Sequence, residues 1–179
     1  WALAPRSTDL LPLVEHYFTE LKATGRLAEI LSRHEGSLSR FRRVDAPALV
    51  SAIRDRLPLY RAWFEEASTE TDIDWRILAA IGYQESRWDE TAVSTTGVRG
   101  LMMLTAETAQ RVKITDRTDP RSSILGAARY LALIKHTIPE HIPEPDRTWL
   151  TLAAYNIGYG HLEDARILAQ SAGRDPDSW

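Results

Sequence analysis

"AAIGYQESRWDETAVSTTGVRGLMMLT", residues 79–105, runs from an apolar, helix-forming stretch through Glu85 and Ser86 into a loop that holds Gly97 and Gly100. Taken with the residues just upstream, Leu78, Ile81, Glu85 and Trp88 recur at helical spacing, which sets Glu85 on the apolar stripe rather than on the wet face. A carboxylate there is discouraged from ionising twice over. Partial burial favours its neutral form, and the last turn of a helix presents the partial negative charge of unpaired carbonyls. Both effects suit a general acid working near neutral pH. A lone glutamate with these features is, taken by itself, more often one half of a structural ion pair. The loop that follows carries Ser94, Thr95 and Thr96 between the helix and the two glycines. Hydroxyls beside aromatics suit a sugar, although the same residues make an ordinary turn.

Outward from this stretch the chain reads as all-helical. Asp72 or Asp74 can cap a helix over about Trp75 to Arg87, and Thr105 a short one through Val112. Asp119 followed by Pro120 opens another, with Ile124, Ala128, Leu131 and Ile134 on one face and its end before Pro139. Asp146 precedes "RTWLTLAAYN", and a last helix is expected from about His161 to Ala172, stopping at Gly173. Upstream, "LVEHYFTELKATGRLAEILSRHEG" suggests two helices that pause at Gly25, and "DAPALVSAIRDRLP" a third, with Asp45 as N-cap, Pro47 in its first turn and Pro58 just past its end. Alternating strand patterns are missing. We place a soft domain boundary near residue 66, giving segments 1–66 and 67–179.

Composition narrows the class. Hydrophobic residues make up 44% and charged residues 26% of the 179 residues, a normal balance for a globular chain. A formal net charge of −3 gives no reason to expect nucleic acid as a partner. No apolar run approaches the roughly 18 to 20 residues that a membrane span requires. Without cysteine there are no disulfides, thiolate metal sites or cysteine nucleophiles. His136 and His141 do not form a recognisable ligand set, so no metal and no cofactor are expected. The chain starts at Trp1, as expected of a processed or excised piece of something longer.

A second cluster, "LAAYNIGYGHLEDA" at residues 152–165, places Tyr155, Asn156, Gly158, Tyr159 and Gly160 between two helices. Tyrosine and asparagine at a helix end can orient a carboxyl group or bind an amide. Asn156 and the glycines can equally just end the helix.

Together, "QESRWDETAVSTTGVRGLMMLTAETA" and "AAYNIGYGH" resemble the lytic transglycosylase family related to goose-type lysozyme, in order and at suitable separations over about residues 68–179. The family pattern is an E-S pair, then A-x-S-x-x-G-x-x-G-L-M, then T-A, and later A-A-Y-N-x-G. The resemblance implies a lysozyme-like helical domain that cleaves the β-1,4 bond between N-acetylmuramic acid and N-acetylglucosamine in peptidoglycan. It makes Glu85 the single general acid/base. Tyr155 is implied to bond Glu85, Ser94 to meet the substrate near an N-acetyl group, and Asn156 to support the site. Gly100, Met102 and Met103 are expected along the groove, with core packing the more usual place for a methionine pair. Ser86 and Gly97 are supporting residues, Ser86 through a backbone bond at the helix end. Met103 stands where many members have glutamine after "GLM".

Asp89, Glu90 and Glu107 read as surface acids or caps, so no second carboxylate is expected. The implied product is a 1,6-anhydromuramic end. The alternatives are a lysozyme-type hydrolase at the same site and a non-catalytic peptidoglycan-binding or regulatory fragment. The segment "YFTELKATGRLAEILSRHEG" is similar to the last helices of solute-binding-type domains, which suggests the remnant of a regulatory domain. In a longer parent that domain would bind a muropeptide effector. The resemblance further implies a periplasmic location, peripheral association with the outer membrane, and a domain that continues beyond Trp179.

Overall fold

The computed structural model describes residues 11–24, 46–95 and 97–179. Among these residues the chain is all-helical, and its one β feature is an isolated antiparallel bridge between Val93 and Arg99. The chain divides into two compact units, residues 1–49 and 50–179. In the first, the described residues form α1 (Leu11–Ala23) and the opening of α2 (Ala46–Asp55), with Pro47 in its first turn. The helix expected after Gly25 and the Asp45 cap lie outside the described residues.

The second unit holds the end of α2, then α3 (Leu57–Thr71), α4 (Trp75–Ser86), α5 (Ala106–Arg111), α6 (Pro120–Thr137), α7 (Asp146–Ile157) and α8 (Tyr159–Ser171). Residue 66, near which the soft boundary was placed, lies within α3, and the compact unit starts at Val50. The continuity of α3 has a packing cause. Tyr60, Phe64 and Ala67 recur at helical spacing and are buried, and α3 lies along α6. Pro58, read as following a helix, sits in the first turn of α3, where its missing N–H costs nothing.

The expected caps are formed. Asp74 accepts the Arg76 N–H at 2.8 Å, Thr105 that of Thr108 at 3.1 Å, and Asp119 that of Ser122 at 2.8 Å. Asp72 instead ends α3 in the left-handed conformation. At α7 the cap is supplied from one position further back, because Glu144 accepts both the N–H and the hydroxyl of Thr148. The last helix opens two residues earlier than expected, at Tyr159, since Gly158 at φ 91° breaks the chain direction there.

The centre of the unit is α6. Ile124, Leu125, Ala127, Ala128, Leu131 and Ile134 are all buried on it, and each large aliphatic side chain so placed contributes about 1.5–3 kcal/mol. Helices α3, α4, α5 and α7 all contact α6, and α8 packs on α7. Two ion pairs, Glu66–Arg121 and Glu70–Arg129, link α3 to α6 along their exposed edges. Arg121 holds the Glu66 carboxyl below its usual range, but solvent screens such pairs, and they set register more than stability.

Gly100 illustrates how closely the loop returns to this core. Its φ is 97°, and a Cβ there would lie 2.2 Å from the Arg117 carbonyl oxygen. Gly97 also has positive φ, at 79°, but faces open space. Gly100→Ala is therefore expected to destabilise the protein by about 3 kcal/mol or more, from backbone strain plus overpacking, and Gly97→Ala by only about 1–2 kcal/mol. Urea unfolding of the two variants checks this, and equal losses would count against the packing argument.

Candidate active site

Glu85 sits in the last turn of α4, half-buried, on the stripe that runs from fully buried Leu78 to buried Trp88. The end of this helix is unusual. Arg87 and Trp88 both have φ 56°, a left-handed conformation that costs non-glycine residues roughly 1–2 kcal/mol each. The turn is held by several contacts. The Arg87 N–H donates to the Tyr83 carbonyl at 2.8 Å, and Trp88 Nε1 donates back to the Ala79 carbonyl at 2.8 Å. The Trp88 indole packs edge-on to Tyr83 at 5.0 Å. Arg56 Nη1 donates to the Arg87 carbonyl at 3.1 Å. Glycine at position 82 makes room for this turn, since a Cβ there would stand 2.9 Å from Met102 Sδ and 3.3 Å from Trp88 Cδ1. The acid therefore sits on a rigid helix end.

The loop after α4 is tied at both ends. Beyond Trp88, Ser94 closes a small hairpin. Its N–H donates to the Val98 carbonyl at 2.8 Å, and its Oγ accepts the Val98 N–H at 2.9 Å. The loop re-enters the core at Leu101 and Met102, where the Met102 N–H donates to Ser123 Oγ at 3.1 Å. The Ser86 hydroxyl donates to the Gly82 carbonyl at 3.3 Å and accepts the Asp89 N–H at 3.2 Å, the helix-end role expected of it.

Tyr155 comes from the other side. It stands near the end of α7, packed against a cluster of Ile134, Ile138, Ile142, Leu150, Ala154 and Leu162. Burial pushes the ionisation of its hydroxyl well above the usual tyrosine range. The Glu85 carboxylate adds to that shift, and Tyr130 contributes a third, smaller part. Two segments 70 residues apart in sequence therefore bring a carboxyl and a phenol within electrostatic reach. Asn156 follows Tyr155 and is exposed, and Gly158 ends the helix.

Not every expected groove residue faces outward. Met102 is only 1% exposed and belongs to the core, and Gly100 is buried against Arg117, so neither offers a surface to a ligand. The apolar run "GLM" that brings the loop home does so by burying them. Met103 is partly exposed, with φ 49°. The other nearby acids are committed locally. Asp89 accepts the N–H and hydroxyl of Thr91 at 2.9 and 2.7 Å, which holds its carboxyl below the usual range. Glu107 is exposed in the first turn of α5, where a carboxylate favours the helix dipole. His141 Nε2 lies 2.9 Å from the Asp177 carboxylate.

Tyr130 on α6 escaped the sequence reading. It falls off the stripe of Ile124, Ala128, Leu131 and Ile134, yet its ring lies 5.7 Å from that of Tyr155. No spacing rule connects positions on two different helices, so only the fold could reveal this pair. A pocket of about 180 Å³ lies elsewhere, between Asp72, Ile77, Leu131, Lys135 and Thr151, at the N-terminal end of α4 rather than at Glu85.

Comparison with known proteins identifies a family. Curated relatives called membrane-bound lytic murein transglycosylase F align over the full length of the chain. The proteins from Alkalilimnicola ehrlichii and Thiobacillus denitrificans are 53% and 52% identical to it, and that from Alcanivorax borkumensis 48%. The chain spans only 36–38% of the length of these relatives. The family described as Transglycosylase SLT domain matches residues 62–177, which take in α4, the loop and the AAYN segment. On that match, across most of the second compact unit, the chain belongs to the transglycosylase SLT domain family.

Proposed function

We propose that this chain carries the catalytic domain of a peptidoglycan lytic transglycosylase, with Glu85 as its one general acid/base. The observation that carries the reading is Glu85 on a half-buried helix end, where its charge acts on the partly buried Tyr155. The family membership and the names of the relatives support the substrate class.

In this mechanism protonated Glu85 gives its proton to the glycosidic oxygen as the bond to C1 of N-acetylmuramic acid breaks. The N-acetyl group of that sugar stabilises the developing cation, one of the substrate-assisted routes that need no second carboxylate. Ionised Glu85 then takes the proton of the C6 hydroxyl as that oxygen attacks C1. The product is a 1,6-anhydro ring, no water is consumed, and Glu85 ends protonated as it began. Nucleophile and electrophile sit on one sugar, so closing the ring draws on proximity. Tyr155 keeps its proton across the neutral range because its ionisation is raised, and so serves as a donor that steadies the Glu85 carboxylate. Ser94, its hydroxyl anchored by Val98, is assigned to the N-acetyl group. Asn156 and Met103 are assigned to the groove rim.

For the parent protein we infer a periplasmic site of action at the outer membrane, because peptidoglycan lies there and the relatives are named membrane-bound. Among the described residues no helix is long and apolar enough to cross a membrane. Residues 1–66 are read as the end of a solute-binding-type regulatory module that would take a muropeptide in the longer protein.

Digestion of purified sacculi with mass spectrometry of the products tests the reaction. Anhydro ends are expected; reducing ends would make the enzyme a hydrolase. Glu85→Gln is expected to lower turnover by about 10³-fold, the usual worth of a general acid/base, and equal clearing by the variant and the wild type would remove Glu85 from the chemistry. Tyr155→Phe should reduce kcat by about 10- to 100-fold, as loss of a hydrogen bond to a charged group does. The raised ionisation of Tyr155 also predicts a pH effect on folding. Its contribution is complete below the unfolded value of about 10 and is lost as pH rises toward the higher folded value. Urea midpoints should therefore fall more steeply above pH 10 in the wild type than in Tyr155→Phe.

A further inference from the structure

We propose that Tyr130 is a positioning residue for this reaction: its ring is the wall that keeps the Tyr155 hydroxyl turned toward Glu85. The inference rests on the role given to Glu85 above.

Tyr155 stands in the last turn of α7, beside exposed Asn156 and Ile157 and just before the break at Gly158. A tyrosine in such a place can choose among staggered side-chain wells, and one well must be enforced if its hydroxyl is to meet a carboxyl on another helix. Tyr155 packs against the aliphatic cluster of Ile134, Ile138, Leu150 and Ala154. Tyr130 packs against the same cluster, and its ring meets that of Tyr155 at 5.7 Å with the planes 54° apart. This separation and tilt lie within the range that aromatic pairs favour.

Tyr130 is itself well anchored. It belongs to α6, the most deeply buried helix of the unit, between buried Ala128 and Leu131. The guanidinium carbon of Arg111, from the last turn of α5, stands 6.0 Å from the centre of its ring, at the outer limit of cation–π attraction. Glu85 and Tyr130 both help to raise the ionisation of the Tyr155 hydroxyl, in keeping with the ring contact between the two tyrosines. Contact runs from the core helix α6 through Tyr130 to Tyr155, and Tyr155 feels the charge of the acid on α4. Tyr130 acts through Tyr155, and nothing in the argument requires it to touch the substrate.

A double-mutant cycle tests the idea. Tyr130→Leu, which loses the ring, is expected to lower kcat on sacculi by about 10- to 100-fold with KM changed by less than about twofold, the scale of loss when a catalytic group is misplaced by about an ångström. Tyr130→Phe, which keeps the ring, should restore kcat to within about threefold of wild type by the same reasoning. In a Tyr155→Ala background the Tyr130→Leu change should have almost no further effect, because what it positions is already gone. An undiminished loss in that background would overturn the proposal, as would wild-type kcat in Tyr130→Leu. If Tyr130→Leu does not fold, Tyr130→Met, nearer in length, is read the same way. Crystal structures of the variant and the wild type provide a readout that needs no turnover. The Tyr155 ring should rotate away from Glu85 in the variant, and an unmoved ring would sink the inference. Absence of turnover in the wild type would instead count against the assigned reaction, with the crystallographic comparison still deciding the role of Tyr130.

Discussion

The burial of α6 is the constraint on which the remaining structure depends. Its small residues Gly126, Ala127 and Ala128 let neighbouring segments approach closely, while Ile124, Leu131 and Ile134 supply the apolar area. Helices α3, α4 and α7 all rest on it. The acid and the tyrosine therefore share a common reference body although their helices are far apart in sequence. Precision of this kind suits a site in which one carboxyl must first give a proton and then recover it from a nearby oxygen. A shift of an ångström in either helix would separate the groups.

The end of α4 is where stability is given up for placement. Two successive left-handed residues, Arg87 and Trp88, are unfavourable in themselves. Burial of the Trp88 indole, its hydrogen bond to Ala79 and the Arg56 contact to the Arg87 carbonyl offset that strain. The effect is to stop the helix directly after Glu85 and Ser86 and send the chain into the Ser94 hairpin. A helix running one turn further would project Asp89 and Glu90 where the loop now departs. Those acids are instead taken up in a local turn and on the surface, while Glu85 is the carboxylate whose charge acts on Tyr155.

Tyr155 and Tyr130 extend the same logic to the far side. Both pack against the Ile134–Leu162 cluster, which joins α6, α7 and α8, so the position of Tyr155 depends on the core rather than on its own helix end. The resemblance to a family implies that Tyr155 bonds the acid, but it does not say what holds that residue in place.

Much of this protein was legible in its linear order. Helix periodicity, the caps at Asp74, Thr105 and Asp119, and the place of Glu85 on an apolar stripe are local properties, set by neighbours within one turn, and they hold in the fold. The pairing of the Glu85 segment with AAYN was legible only through a motif, because no local rule links residues 70 apart. Tertiary structure alone decided the rest. It buried Met102 and Gly100, carried α3 through residue 66 without a break, and brought Tyr130 against Tyr155. The physical reason is the same in each case: burial and ring contact depend on which helices meet, and that is settled by competition for the surface of α6, not by any single helix.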